Sequence, residues 1–534
     1  MVVQPQEEQG AEEINPDKQN FNGMKNRSKW LIGILMLFHS MISAQSTSET
    51  ALLFSRIRSG GSARIQGMGG AQTSLGGDYS AGFSNPAGLG MFNRSEVSIT
   101  PGFNNTNLTS DYRNNTIAET KTNLSIPGLG LVFQKEQNGR NGFVSGAFAV
   151  SFNRVNNFNQ NLSYQGTNPK NSIIDYFIED AKGSPSSQFE SNGALYNTPT
   201  QLGYENFLIG DSTVFGNNQG RDSTQYFTDV LGIPFQNETI KTQGAQNQWN
   251  FSYGANFNDK LFIGVGVGFT SLRYETKKTY SEEFTDDVLS TLTLEENLRI
   301  SGSGINATAG MIFRPLEMLQ LGISYTTPTL YKLTDTYSAN MSTQWNNYKY
   351  YYFDENNIEK VNTLNDESWK TEEQLLEYDL RTPSHLNIGG SVFFQKYGFI
   401  SADVEIVNYA GAKYSTGISG ISFDSDNKNI KTLYQSTINY RVGGEFRYSN
   451  YRARAGFAYM PDPFKSGQNG IDRKITTVSG GLGYRTQKFY IDLALVLAQG
   501  ETSYRPYRVN TVDSPLVTIK NKNTLALVTV GFPF

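Results

Sequence analysis

The chain has 534 residues, no cysteine, and only two histidines, His39 and His385. One histidine beyond the N-terminal region and no thiol cannot build a multi-histidine metal site, a haem held by paired histidines or a Cys–His nucleophile. His385 lies between Ser384 and Leu386, beside the alternating run Leu386, Ile388, Gly390, Val392, and reads as a wall or rim residue. No Gly-x-Ser-x-Gly elbow occurs. Gly264, Gly266 and Gly268 imitate a phosphate loop, but they lie within a strand pattern that no helix follows. Asp403 and Glu405 suggest acid–base work until they are set opposite Arg441, Arg447, Arg452 and Arg454, where they read as a charge ladder. The arginines are the chemistry that remains. A guanidinium in a sheltered duct could hold a carboxylate by charge-assisted hydrogen bonds, Arg452 and Arg454 foremost, Arg441 and Arg447 behind them. The other reading, in which they only pair with Asp403, Glu405 and Glu445 to stiffen a wall, stays open. Neither catalysis nor a metal or cofactor is expected.

These side chains need elements to aim them. From about residue 95 onward, stretches of some ten residues place apolar groups at every second position. Phe251, Tyr253, Ala255 and Phe257 alternate with Asn250, Ser252, Gly254 and Asn256. Ile400, Ala402, Val404 and Ile406 interleave with Ser401, Asp403 and Glu405. Period two gives one apolar face and one polar face. The connections alternate short and long. The short ones include Asn258-Asp259-Lys260, Gln395-Lys396-Tyr397 and Ser449-Asn450, whereas the stretches at about 161–244 and 337–375 read as long outer loops. Two unlike rims, a polar face with clustered charges and an apolar face fit an all-β, transmembrane antiparallel barrel of about fourteen strands, lipid outside and a polar lumen inside. The chain closes on Val528, Val530, Phe532 and Phe534, an alternation resembling the final strand that barrel-assembly machinery recognises. A net charge of −4 gives no case for nucleic acid, and a mean hydropathy of −0.44 excludes a bundle of apolar spanning helices.

Two segments precede the barrel. Residues 1–44 carry Lys25, Arg27 and Lys29, an apolar run from Trp30 to Ile42, and small residues at Ser43-Ala44. This reads as a leader with a signal peptide starting at Met24, too short to span a bilayer as a helix. Residues 45–94 alternate poorly, are dense in glycine, and hold Met68, Leu75, Phe83, Leu89, Met91 and Phe92. Compact irregular backbone of this size suits a plug for the lumen of the 95–534 barrel.

Gly67-Met68-Gly69-Gly70-Ala71, Asp78-Tyr79-Ser80-Ala81 and Asn85-Pro86-Ala87-Gly88-Leu89, followed by Ile126-Pro127-Gly128-Leu129-Gly130 and Arg454-Ala455-Gly456-Phe457-Ala458-Tyr459, resemble the FadL/TodX-type outer-membrane transporters. The resemblance covers residues 51–534. It implies a monomeric barrel of a Gram-negative outer membrane with an N-terminal hatch, in which Asn85, Pro86 and Ala87 match the hatch motif. It also implies passive, TonB-independent passage of long-chain fatty acids or aromatic hydrocarbons, through a pocket above the hatch and out sideways at a kinked third strand. On that reading Met68, Phe83 and Leu89 line the pocket, and Gly146 or the pair Asn153-Arg154 weakens the third strand as a lateral gate. The expected partners are a hydrophobic small molecule and outer-membrane lipid. A docking role for a protein secretion machine, served by the long polar loops, is the alternative.

Overall fold

The computed structural model describes residues 44–136, 142–189, 198–214, 223–353, 358–465, 470–510 and 514–534. The expected leader and signal peptide, 1–44, lies outside these residues except for Ala44. The strands run, in chain order, β1 (Glu96–Tyr112), β2 (Asn115–Glu136), β3 (Phe143–Asn157), β4 (Gln160–Thr167), a separate hairpin of β5 (Gly210–Val214) and β6 (Ser223–Phe227), then β7 (Phe235–Phe257), β8 (Leu261–Glu283) and β9 (Leu289–Leu316). They continue with β10 (Leu319–Thr326), β11 (Leu330–Phe353), β12 (Glu359–Lys370), β13 (Gln374–Arg381), β14 (His385–Phe393), β15 (Gly398–Asn408) and β16 (Lys413–Ser415). The last five are β17 (Ser436–Tyr448), β18 (Tyr451–Met460), β19 (Ile475–Arg485), β20 (Tyr490–Tyr504) and β21 (Val517–Pro533). Because β1 pairs with both β2 and β21, the antiparallel wall closes at fourteen positions. Four positions are filled by two pieces: β3 with β4, β10 with β11, β14 with β13, and β15 with β16.

Alternation sets which way each side chain points. Along β8, Ile263, Val265, Val267 and Phe269 face outward and stay exposed, while Gly264, Gly266 and Gly268 face inward and are buried. An apolar belt outside and Ser, Thr, Asn, Gln and charged residues inside make this a transmembrane barrel of the outer-membrane type. The inward glycines serve contact: a Cβ at Gly264 would lie 2.2 Å from the Pro86 carbonyl carbon, so only hydrogen lets the N-terminal segment touch the wall there.

The strands outrun the membrane. β9 has 28 residues, roughly 90 Å at about 3.3 Å each, whereas a tilted spanning strand needs only about 10. The surplus stands above the outer rim as a collar, and this corrects the loop expectations. β1 and β2 run on to a two-residue turn at Arg113 (φ 48) and Asn114 (φ 65), the left-handed geometry of a tight hairpin. Residues 337–375 are mostly strand, in β11, β12 and the start of β13. The 161–244 stretch holds β4, α4 (Ile173–Ala181), α5 (Pro199–Glu205), the β5–β6 hairpin and the start of β7, while α1 to α3 belong to the N-terminal segment. Those pieces share an apolar core of Ile174, Phe177, Leu202, Leu292, Met341 and Trp345 with the outer ends of β9 and β11. No helix among the described residues is long and apolar enough to cross a membrane.

Candidate functional site

Inside the wall lies the chain from residue 44 to 94. It contains α1 (Ala44–Ser55), α2 (Ala63–Gln66), α3 (Ala81–Ser84) and a 3-10 turn at Pro86–Met91. Short elements with many free backbone groups must find partners, and the polar lumen supplies them. Gln72 and Thr73 donate their backbone N–H to Asp403 Oδ2 at 2.7 and 2.9 Å. Asn85 caps the 3-10 turn, accepting from the Ala87 N–H at 3.2 Å, and its amide donates to the Thr73 carbonyl at 2.6 Å. Pro86 starts that turn without a donor to satisfy, and Ala87 is buried against Phe262 and Ile312.

A second set of contacts is ionic. Arg64 of α2 lies 3.3 Å from Glu445, which lies 2.7 Å from both Arg447 and Arg454; Arg454 also meets Asp492 at 2.7 Å. The Arg454 side chain is 0% exposed. It ties β17, β18 and β20 together beneath the N-terminal segment and has no face left for a ligand. Arg452 donates to the carbonyls of Ser449 and Tyr451 at the short-turn rim. The ligand role expected first for Arg452 and Arg454, and then for Arg447, is corrected: the structure instead places Arg447 and Arg454 in ion pairs within the wall and Arg452 at the rim, all three away from the cavity above the segment. Only Arg441 of the four lines the cavity above the segment.

That cavity is narrow, about 60 Å³. Phe54, Ile57, Phe83 and Tyr331 give it apolar surface, and Gln246, Asn306, His385 and Arg441 give it polar surface. Glu405 is saturated there, accepting from Arg441 at 2.5 Å and Asn439 at 2.9 Å, with His385 Nδ1 at 3.0 Å. Arg58, from the stretch after α1, opens into the same cavity, and its guanidinium has neither ion pair nor hydrogen bond among the described residues. Of the expected pocket residues, Phe83 lines the cavity. Met68 instead packs under Gly443 and Gly456 beside Ile65, Leu75 and Phe399, and Leu89 packs with Tyr79, Phe92 and Val132. Both fasten the segment to the wall because glycines opposite them allow close approach.

The third feature is a break in the wall. β2 and β3 pair from Glu136↔Ser145 up to Gly128↔Asn153 and no further. Pro127, next along β2, has no N–H to continue the ladder. Beyond it β3 shifts register against β7 at Arg154/Asn156, and β4 pairs with β7 alone. β4 leans onto the inner face of β1, where Ser110 Oγ donates to the Ser163 carbonyl at 2.6 Å and Leu108, Tyr112, Leu162 and Tyr164 pack together. Among the described residues, the outer half of β2 thus has no backbone partner on that side. Side chains bridge the break: Asn157 donates to Asn123 at 3.1 Å. Arg154 turns to Asn247 at 3.1 Å. Asn153 and Arg154 stand at the break; Gly146 does not. It sits in the paired stretch opposite Lys135 and Ala255, where a Cβ would strike the Tyr253 hydroxyl at 2.2 Å, so it makes room for an aromatic ring.

Sequence reasoning missed Arg58, Phe54, Tyr331, Gln246 and Asn306 as lining residues. The first two lie in a segment without periodicity, and the others are unremarkable members of alternating strands. Pro127 was a legible signal, since proline inside a strand pattern marks where pairing stops.

No family model matches the sequence, and no curated protein does. Solved structures do. A Pseudomonas aeruginosa FadL homologue superposes with a TM-score of 0.54 at 13% identity, over 90% of this chain and 99% of its own. The Pseudomonas putida toluene transporter TodX follows at 0.46 and 12% identity, and the Ralstonia pickettii toluene transporter TbuX at 0.44 and 15%, each over 89% of this chain and 99% of its own. The fold is thus that of the FadL homologue.

Proposed function

We propose that the protein carries hydrophobic small molecules passively through the outer membrane of a Gram-negative bacterium, and lets them out sideways into the bilayer. The observation that carries this reading is the break between β2 and β3 beside a filled lumen. A pore for polar solutes gains nothing from a side opening at the depth of the lipid belt, and a stopper blocks its straight path. A molecule that prefers lipid needs the reverse: shelter from water on the way in and a lateral exit. The N-terminal segment serves as a hatch, held to the wall by Asn85, Asp403 and Arg64.

The resemblance to fatty-acid and aromatic-hydrocarbon transporters supports the substrate class, and Arg58 sharpens it. A guanidinium beside Phe54 and Phe83, with no acceptor of its own, suits an amphiphile with an anionic head. Arg58 takes the role first assigned to the arginines of β17 and β18. Hydrogen bonds to charged groups contribute about 1.5–3 kcal/mol, so Arg58→Gln weakens binding of a long-chain fatty acid by roughly tenfold or more and leaves its methyl ester unchanged. Equal loss for acid and ester, or no loss for either, removes the head-group role. Mass spectrometry of hydrophobic molecules that co-purify with the protein names the natural ligand.

A docking role for a secreted or surface protein draws on a different observation. The β11–β12 hairpin stands in the collar with Tyr351, Val361 and Trp369 exposed, and β12 has no backbone partner on its far side among the described residues. Secreted proteins co-purifying with the barrel, together with the absence of bound lipid, would favour that role.

A further inference from the structure

The outer face of β7, β8 and β9 forms a grid, because these strands pair without a register shift. Trp249, Phe269 and Ile305 make its last apolar row, followed by a polar row of Asn247, Ser271 and Ser303. The charges come next. Arg273 stands four residues beyond Phe269, about 13 Å along the strand. Gln243, Glu275 and Arg299 share the following row, and Lys241 lies directly opposite Lys277 in the one after. Two like charges paired across strands repel. Lys278 turns inward to Glu296 at 3.7 Å, whereas Lys241 and Lys277 are exposed and have no ion pair among the described residues. Glu275 is the one carboxylate within these rows. It accepts from Arg299 at 3.2 Å and lies 3.5 Å from Arg273, and the two arginine side chains remain 57% and 66% exposed. Most of their donors therefore face the medium. The next carboxylate on this face, Glu295, is a further row up and accepts from the Asn340 amide at 3.5 Å.

Directly below the apolar row, the same strands carry a groove of about 360 Å³. Its floor is low because Ala307 and Ala309 of β9 stand between Val265 and Val267 of β8 and Tyr325 of β10. Phe251 and Tyr253 of β7 close the other side. At this depth the groove faces lipid, so it suits a hydrocarbon chain. A larger groove crosses β19, β20 and β21, but the cation above it is matched: Lys520 faces Glu501 across the sheet and meets Asp111 at 3.3 Å. Only on β7 to β9 does surplus positive charge stand over a chain-sized groove.

We propose that this face binds an outer-leaflet glycolipid with phosphate on its sugars, the phosphate bridging Lys241 and Lys277 within reach of Arg273 and Arg299, and an acyl chain lying over Ala307 and Ala309. The phosphate turns the repulsion between the lysines into attraction, and the guanidiniums add charge-assisted hydrogen bonds. Trp249 marks the boundary between tail and head, where its amphipathic ring is suited to sit. The site is independent of the uptake reading and needs only the outer-membrane wall.

The test measures binding of diphosphoryl lipid A to the full chain in detergent by native mass spectrometry. Wild type binds it more tightly than the monophosphoryl form. Lys241→Gln/Lys277→Gln weakens diphosphoryl binding about ten- to thirtyfold. Lys428→Gln/Lys431→Gln makes the same charge change in the helix Asp424–Leu433 and leaves binding unchanged. Ala307→Leu/Ala309→Leu fills the groove and weakens both forms of lipid A alike. All three variants keep the fast-migrating band of the folded barrel on an unheated detergent gel. Equal loss in the two lysine variants overturns the proposal, since any surface charge would then do, and so does a groove variant that binds like wild type. Inorganic pyrophosphate is the second probe: if it displaces the lipid at equal concentration, the anion alone is recognised and the lipid assignment falls. Self-association through this face in place of lipid binding overturns it as well.

Discussion

Arg454 shows how position decides what a charge can do. Its side chain is 0% exposed and shared between Glu445 and Asp492, which are 3% and 0% exposed. Breaking such a buried set leaves uncompensated charges, at a cost of about 3–5 kcal/mol. Arg454→Met is therefore expected to lower the urea midpoint at which the heat-modifiable band is lost, whereas Arg452→Gln, bonded only to rim carbonyls, leaves it where it was. Equal midpoints for the two variants would contradict the bracing role. Asp180 of α4 is a second case, in the outer cap formed by the pieces between β4 and β7. Burial pushes its carboxyl above the ordinary value, and the Thr200 hydroxyl bonded to it offsets only part of that. A carboxyl raised in the folded state holds its proton more tightly there, so cap stability is greatest at acid pH and falls as pH rises through the folded value. At neutral pH the cost of the buried charge is fully expressed. Asp180→Asn should slow proteolysis of the cap near pH 7 and flatten its pH dependence; faster cleavage at pH 7 would contradict the burial argument. Neither case could be read from the chain. Alternation said that Arg441, Arg447, Arg452 and Arg454 face inward, but not at what depth, and depth separates a cavity-lining guanidinium from a buried brace. Arg58 carried no pattern at all.

Among the elements, the third wall position matters most. Pro127 ends the β2–β3 ladder, β4 follows β7 inward, and the side-chain bond from Asn157 to Asn123 spans what the backbone leaves open. The chain has no cysteine to interfere. Asn123→Cys/Asn157→Cys, joined by a short bifunctional reagent or as a disulfide, should stop delivery to the bilayer while binding in the cavity persists, and reduction of the disulfide should restore delivery. Delivery at the wild-type rate in the bridged form would exclude the break as the exit. The membrane-depth strands were legible because lipid on one side and a polar lumen on the other force period two, as in Ile263 to Phe269. The collar was not. In stretches such as Asn104 to Ser110, Thr, Asn and Ser occupy both faces and a single apolar side chain, Leu108, enters a core, so the run looks like loop. The cap between β4 and β7 hid for a related reason: its core draws Leu292, Met341 and Trp345 from distant strands, and no local window shows that.

At the scale of the molecule, one wall serves two solvents. Its outer face is apolar where lipid lies, its inner face is polar where the N-terminal segment needs hydrogen-bond partners, and glycines such as Gly264 appear where that segment and the wall touch. On the proposed reading, the filled lumen and the break between β2 and β3 together send a solute sideways into lipid. The most direct measurement is uptake into lipid vesicles of a radiolabelled long-chain fatty acid and of a small polar sugar, with and without the purified protein, in the absence of any energy source. The account predicts that the protein speeds delivery of the fatty acid to the bilayer and leaves sugar permeability unchanged; equal fatty-acid rates in the two preparations, or free passage of the sugar, would contradict it.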